Sequence, residues 1–162
     1  MSRIEELSAS LPDSSLRCVD AMRITFEIPG PPHGKARHRA SKWGMYNPKS
    51  NIEYESMVKR LYLEAAHGAR MWDGAVAIML KLYFPIPRRA SKAVKAAMAQ
   101  GKIRPAIKSD IDNCAKSVMD GLNGAAYHDD KQVVDLKAEK WYAFEPRTEV
   151  TVMEVSTDEP IG

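Results

Sequence analysis

Ser109-Asp110-Ile111-Asp112-Asn113-Cys114-Ala115-Lys116-Ser117-Val118-Met119-Asp120-Gly121-Leu122 reads as one amphipathic helix, from about Ile111 to Leu122, and the rest of the chain supplies what that helix must pack on. At helical spacing Ile111, Ala115, Val118 and Leu122 fall within about 60° of one another, a stripe to be buried. Asp112, Lys116 and Asp120 follow at intervals of four along the other side. Asp110 stands near the N-cap and Asp112 in the first turn, where the helix dipole favours negative charge.

Strand patterns flank this helix on both sides. Met22, Ile24, Phe26 and Ile28 alternate with Arg23, Thr25 and Glu27, a half-buried strand ended by Pro29-Gly30-Pro31-Pro32. His33 to Lys49 reads as a basic loop with Trp43 and Tyr46 interleaved. Ser50 and Glu53 have the spacing of a capping box, and Tyr54, Met57, Val58, Leu61, Tyr62 and Ala65 recur at helical intervals up to a stop at Gly68. Val76 to Phe84 is apolar apart from Lys81, the pattern of a central strand. Pro85-Ile86-Pro87-Arg88-Arg89 is a second basic loop, and Ser91 caps a short helix running to about Ala99. After the acidic helix come two strands, the first carrying Val134, Leu136, Ala138 and Tyr142 on one face, joined as a hairpin by Phe144-Glu145-Pro146-Arg147. The fold class expected is α+β: a single domain in the order β-α-β-α-α-β-β, with helices packed on a mixed sheet. Its bounds are set at 22–157, after a flexible extension over 1–21 and before a tail over 158–162.

Composition excludes several classes. The chain has 162 residues, about one domain, with 44% hydrophobic and 28% charged residues. No run reaches the ~18 apolar residues of a membrane span, so no membrane association is expected. The first twenty residues carry Glu5, Glu6 and Asp13 and no apolar core of a secretory signal. Cys18 and Cys114 have no metal-type spacing, and the chain reads as reduced and cytoplasmic. His33, His38, His67 and His128 show no such spacing either.

The net charge of +3 conceals a division: residues 22–109 carry +12, residues 110–162 carry −7 and residues 1–21 carry −2. No acidic residue lies between Asp73 and Asp110, where eight Lys and Arg occur. None lies between Glu27 and Glu53 either, a stretch with Lys35, Arg37, Arg39, Lys42 and Lys49. Such segregation suits a polyanion such as nucleic acid, and it equally describes a solvated basic face balanced by an acidic one.

A second acidic pair, Asp129-Asp130, follows the helix. The helix is about 19 Å long, and the seven residues from Gly124 to Asp130 span at most about 23–25 Å. A nearly straight return would bring Asp130 toward Asp110 and Asp112. Converging carboxylates call for a cation, and hard oxygen ligands suit Mg²⁺ or Mn²⁺. A plainer reading also stands: Asp110 caps the helix, Asp112 and Lys116 form an i,i+4 pair, and Asp129-Asp130 are turn residues.

Taken in order, Lys108-Ser109-Asp110-Ile111-Asp112-Asn113, Lys116, Asp120, Asn123-Gly124 and Asp129-Asp130-Lys131-Gln132-Val133 resemble the RusA family of Holliday junction resolvases. The opening Phe26-Glu27-Ile28-Pro29-Gly30-Pro31-Pro32, followed by Lys35, Arg37 and Arg39, is similar to that family's first strand and basic loop. The resemblance covers roughly residues 22–155, and its specificity lies in the D-x-D-N-x-x-K and D-D-x-Q-V motifs occurring together. Ser109 stands where many relatives have proline, and Cys114 where leucine is frequent.

The resemblance implies a Mg²⁺-dependent endonuclease, with Mn²⁺ as a substitute, that cuts four-way DNA junctions as a homodimer in recombination and repair. It is a family found mostly in phage and prophage genes. It implies that Asp110, Asp112 and Asp130 are the metal carboxylates and Lys116 the active-site lysine. Asn113, Asp120 and Asp129 match family positions around them. Lys35, Arg37, Arg39, Arg88 and Arg89 are natural phosphate contacts. Trp43 and Tyr46 either cover a core or dimer interface or stack on bases. Trp141 and Phe144, near the last two strands, serve either the core or a dimer surface. Two other functions compete with resolution of junctions: a broader nuclease for flaps and forks, and a DNA-binding protein whose acidic cluster is only structural.

Overall fold

The computed structural model describes residues 22–155; the sequence expectations for 1–21, for the tail over 158–162 and for Cys18 lie outside them. Six strands and three helices follow in order: β1 (Arg23–Pro29), β2 (Arg39–Ser41), β3 (Gly44–Tyr46), α1 (Lys49–Ala66), β4 (Val76–Pro85), α2 (Lys92–Ala99), α3 (Ile111–Leu122), β5 (Val133–Ala143) and β6 (Arg147–Glu154). Asp130–Gln132 forms one 3₁₀ turn between α3 and β5. The fold is α+β, with helices on a mixed sheet, as the patterns imply.

The four-stranded sheet has the order β1-β6-β4-β5, antiparallel except for the parallel β4/β5 pair. The alternation in β1 buries Ile24, Phe26 and Ile28, while β4 contributes Val76, Ile78, Leu80, Leu82 and Phe84. These meet Tyr54, Val58 and Tyr62 of α1 and Ala115, Val118 and Leu122 of α3 in one core. The opposite face of the sheet carries Arg23, Glu27, Lys81, Glu139 and Glu149 together with Met79 and Trp141, and forms a groove.

Several expectations are corrected. β5 and β6 are not a hairpin, because β4 lies between them. The short link over 144–146 arches across the end of β4, where Ile86 N donates to Ala143 O on one side and Tyr83 faces Arg147 on the other. A strand as apolar as β4 is best buried with partners on both edges. The basic loop is not all loop: β2 and β3 form a small exposed hairpin, so the order begins β-β-β-α. Two three-residue strands exposed on both faces leave no alternation to read.

The Ser50–Glu53 capping box does not form. α1 starts two residues earlier, behind a buried Pro48 with no side-chain cap, and Glu53 pairs with Lys49 instead. The stop does occur, through His67 and Gly68, both at positive φ. Ser91 caps α2, accepting from Val94 N. On α3 the buried stripe is wider than the spacing indicates and displaced from Ile111, which is 38% exposed; Cys114, Ser117 and Gly121 are buried too. The reason is a close α1/α3 approach at Gly121, where even a Cβ would fall 2.6 Å from Val58 Cβ. On β5, an edge strand, Val134 and Leu136 are exposed rather than buried.

Candidate active site

Asp110 stands immediately before α3 with extended backbone, and its side chain makes no capping bond. Ser109 precedes it at φ +89°, a conformation that costs a non-glycine residue about 1–3 kcal/mol. The turn directs the chain into the helix and leaves the Asp110 carboxylate exposed. Asp112, in the first turn of α3, is also exposed. The ion pairs on this helix go to Asp120 rather than to Asp110 or Asp112 among the described residues. The i,i+4 pair that forms is Lys116–Asp120, at 3.3 Å, not Asp112–Lys116.

The loop after α3 does return along the helix. Tyr127 turns it by donating its hydroxyl to Met119 O at 2.8 Å. Asp129 and Gln132 then make a reciprocal capping box around the 3₁₀ turn: Asp129 Oδ1 accepts from Lys131 N, and Gln132 Oε1 accepts from Asp129 N. Gln132 also donates to Trp72 O and Gly74 O, which pins the turn to the entry of β4. Asp129 is thus a turn residue, and its neighbour Asp130 is turned to Lys116, Nζ to Oδ2 at 3.1 Å. That hydrogen bond, with a second from Asp120, holds the Lys116 ammonium above its usual pKa, and the same bond holds the Asp130 carboxyl below its own.

A third carboxylate system lies behind these. Lys35 binds Asp120 and stands 3.5 Å from Glu55. The lysine expected to reach phosphate is therefore largely buried among protein carboxylates. It joins the basic loop to α3, and its backbone N donates to Asn113 O at 3.3 Å. Lys35, Asp120, Lys116 and Asp130 form one alternating chain of charges.

Arg37 and Arg39 are exposed on the same loop. Arg88 and Arg89 are exposed in the turn after β4, at the end of the sheet away from Val133 and hence away from Asp130. His128 faces Asp73 at 2.9 Å. The sequence reading quotes Gln132 within the D-D-x-Q-V motif without giving it a role, and it does not single out Asn51. The D-x-x-Q spacing of a capping box was the signal for Gln132; Asn51, a fully buried amide beneath the basic loop, gives none.

Among the described residues no group of three or more His, Cys, Asp or Glu side chains is assembled as a metal cage. The donor chemistry nevertheless fits a hard divalent cation, since Asp110 and Asp112 are exposed carboxylates with no ion-pair partner among the described residues and Asp130 is paired only to a lysine. Among the described residues no helix is long and apolar enough to cross a membrane.

Comparison with known proteins accords with this arrangement. The chain is 37% identical over 139 residues to the uncharacterized protein YqaN of Bacillus subtilis (strain 168), which covers 82% of this chain and 97% of that protein. Residues 29–153, from the end of β1 through β6 and with both acidic motifs inside, match the endodeoxyribonuclease RusA family, and to that family the chain belongs.

Proposed function

We propose that the chain resolves four-way DNA junctions by paired symmetric nicks, working as a homodimer with Mg²⁺, or Mn²⁺ in its place. The observation that carries the reading is the return of the 129–132 turn onto α3, which sets Asp130 beside Lys116 on the helix that bears Asp110 and Asp112. Family membership supports an endonuclease, and the basic stretch over 35–49 supports a polyanionic substrate.

In this reading Asp110, Asp112 and Asp130 would hold the cation. When bound, it supplies an activated water and neutralises charge on the scissile phosphate. Lys116 stands ready to leave Asp130 and place its ammonium against the developing phosphate charge. Asp120, paired to Lys116 on one oxygen and Lys35 on the other, keeps that ammonium on the helix face when Asp130 is engaged elsewhere. Asp129 and Gln132 hold the turn. The net step is hydrolysis: water oxygen bonds to phosphorus, the bond to one sugar oxygen breaks, and the water's protons end on the leaving oxygen and in solvent. Arg37 and Arg39 contact backbone phosphates away from the cut.

The test is to incubate the chain with a synthetic four-way junction, a flap and a linear duplex, each with and without Mg²⁺. Paired nicks in the junction alone, and only with the cation, are expected. Equal cutting of the flap would shift the reading to a broader branch nuclease, and binding without cutting to a DNA-binding protein.

A further inference from the structure

We infer that the β2–β3 hairpin is a base-stacking wedge, with Trp43 at its tip entering the open centre of branched DNA; this rests on the reading of the chain as a junction-binding protein. Trp43 is 86% exposed, Met45 68% and Tyr46 47%, so the hairpin's aromatic residues cover no core. An apolar tip of this kind is costly to leave in water and marks a binding surface.

The tip is also built to hold its shape. Ser41 Oγ accepts from Trp43 N and donates to Gly44 O, both at 3.1 Å, bracing the two-residue turn. At the root, the buried amide of Asn51 binds both ends of the excursion. It donates to Ala36 O at 2.9 Å and to Asn47 Oδ1 at 2.8 Å, and its oxygen accepts from Ala36 N at 3.0 Å. The root is tied to the active-site helix as well, through Lys35 N to Asn113 O. A finger braced at tip and root therefore leaves the fold next to Asn113 and ends in an indole.

The charge around the finger selects its occupant. Arg37, Arg39, Lys42 and Lys49 flank the aromatic residues in sequence, and no acid occurs between Glu27 and Glu53. Arg39 faces Tyr46 across the hairpin, and the Lys42 ammonium lies 5.2 Å from the Trp43 ring centre. Cations interleaved with aromatic rings are the surface of a single-strand binder, where rings stack on bases while cations follow the backbone. Paired bases inside a duplex offer no free face to an indole. Bases at the centre of a branch do, which gives the hairpin a part in distinguishing branched from linear DNA.

The experiment places 2-aminopurine at the branch point of a four-way junction, and the same label in a linear duplex. Fluorescence and affinity are measured for the full chain and for Trp43→Ala and Trp43→Phe. The parent should change the junction signal and leave the duplex signal alone. Trp43→Ala should lose that change and bind the junction about 10-fold more weakly, with circular dichroism unaltered, while Trp43→Phe restores most of both. A Trp43→Ala chain that perturbs the branch label like the parent overturns the wedge while junction binding stands. A Trp43→Ala chain that loses only self-association in sedimentation also overturns it, and makes the hairpin an interface between copies. A parent that binds neither DNA removes the junction reading itself, and the wedge with it.

Discussion

Lys116 donates its ammonium to Asp130 Oδ2 across 3.1 Å, joining the second turn of α3 to a carboxylate that the loop after the helix brings back. Thirteen residues separate the two, and Tyr127 and Asp129 among them, with Gln132 just beyond, fold the chain so that this carboxylate returns to the helix. It also separates two effects of substitution in the proposed site: replacing Asp130 would remove charge facing both the cation and Lys116, and replacing Asp110 or Asp112 only charge facing the cation.

Asp110→Asn, Asp112→Asn and Asp130→Asn should each abolish nicking, by at least about 10³-fold if the cation is lost, while junction binding is kept or tightened. Removing a carboxylate beside DNA reduces repulsion and removes no phosphate contact. Single-turnover nicking and gel-shift titration on one junction check this. Near-parental cutting by any one variant would take that residue out of the site.

Arg37 and Arg39, both exposed on the hairpin's leading edge, should act as a sequence-independent pair. Neutralising both weakens binding to every DNA shape and lowers the slope of log affinity against log salt by roughly two. Arg88→Gln with Arg89→Gln, at the far end of the sheet, should change that slope less. A salt slope unmoved by the first pair would mean that the loop faces away from DNA.

Gly121→Ala tests the helix pair that carries the site. An added Cβ would lie 2.6 Å from Val58 Cβ and 3.0 Å from Glu55 O, so α1 must move. Overpacking of about 1–3 kcal/mol outweighs the ~1 kcal/mol that alanine gains in helix propensity. A net loss of about 1–2 kcal/mol in denaturant unfolding is expected, with reduced nicking because Glu55 moves with α1 and disturbs the Lys35–Asp120 pair. A variant as stable as the parent would show that the helices are not in contact there.

The helix and its polar face were legible in the sequence because 3.6-residue periodicity is local. So were β1 and β4, whose alternation or continuous apolarity needs no partner to be read. Pairing was not legible: that β4 separates β5 from β6 depends on which edge each strand finds, and three linking residues suit a hairpin equally well. The β2–β3 hairpin was hidden because strands of three residues exposed on both faces leave no alternation to read. The acidic motifs were visible, yet their geometry was not. Lys116 pairs with Asp120 one turn on within α3, and with Asp130 only because the Gln132 turn is pinned where it is, a tertiary fact.

Tyr54 and Tyr62, packed under the sheet, give an alkaline limit. Burial pushes each phenol from 10.0 up to about 12. The folded value lies above the unfolded one, so their contribution is intact below about pH 10 and is lost as pH rises from 10 to 12. Loss of circular dichroism should accompany the rise in tyrosinate absorbance in that window. Titration of these tyrosines near pH 10 in a chain that stays folded would show that water reaches them.

Two cuts require two sites, and one chain offers one set of Asp110, Asp112, Lys116 and Asp130. A two-fold dimer would match the symmetry of a four-way junction and present both sets at once. The described surface has apolar area to spare for it: Val134 and Leu136 stand 61% and 44% exposed on the free edge strand β5, and Phe144 is 68% exposed at its end. An edge strand left open with apolar side chains is itself a template for pairing. Sedimentation should therefore give a dimer, and Leu136→Lys should shift it toward monomer without unfolding the chain. Mixed dimers of parent and Asp112→Asn chains should nick one strand of a junction and stop, leaving a nicked product in place of two resolved duplexes. A monomer that cuts both strands, on and off DNA, would defeat the dimer; a mixed dimer that completes both cuts would mean that one site serves two strands in turn.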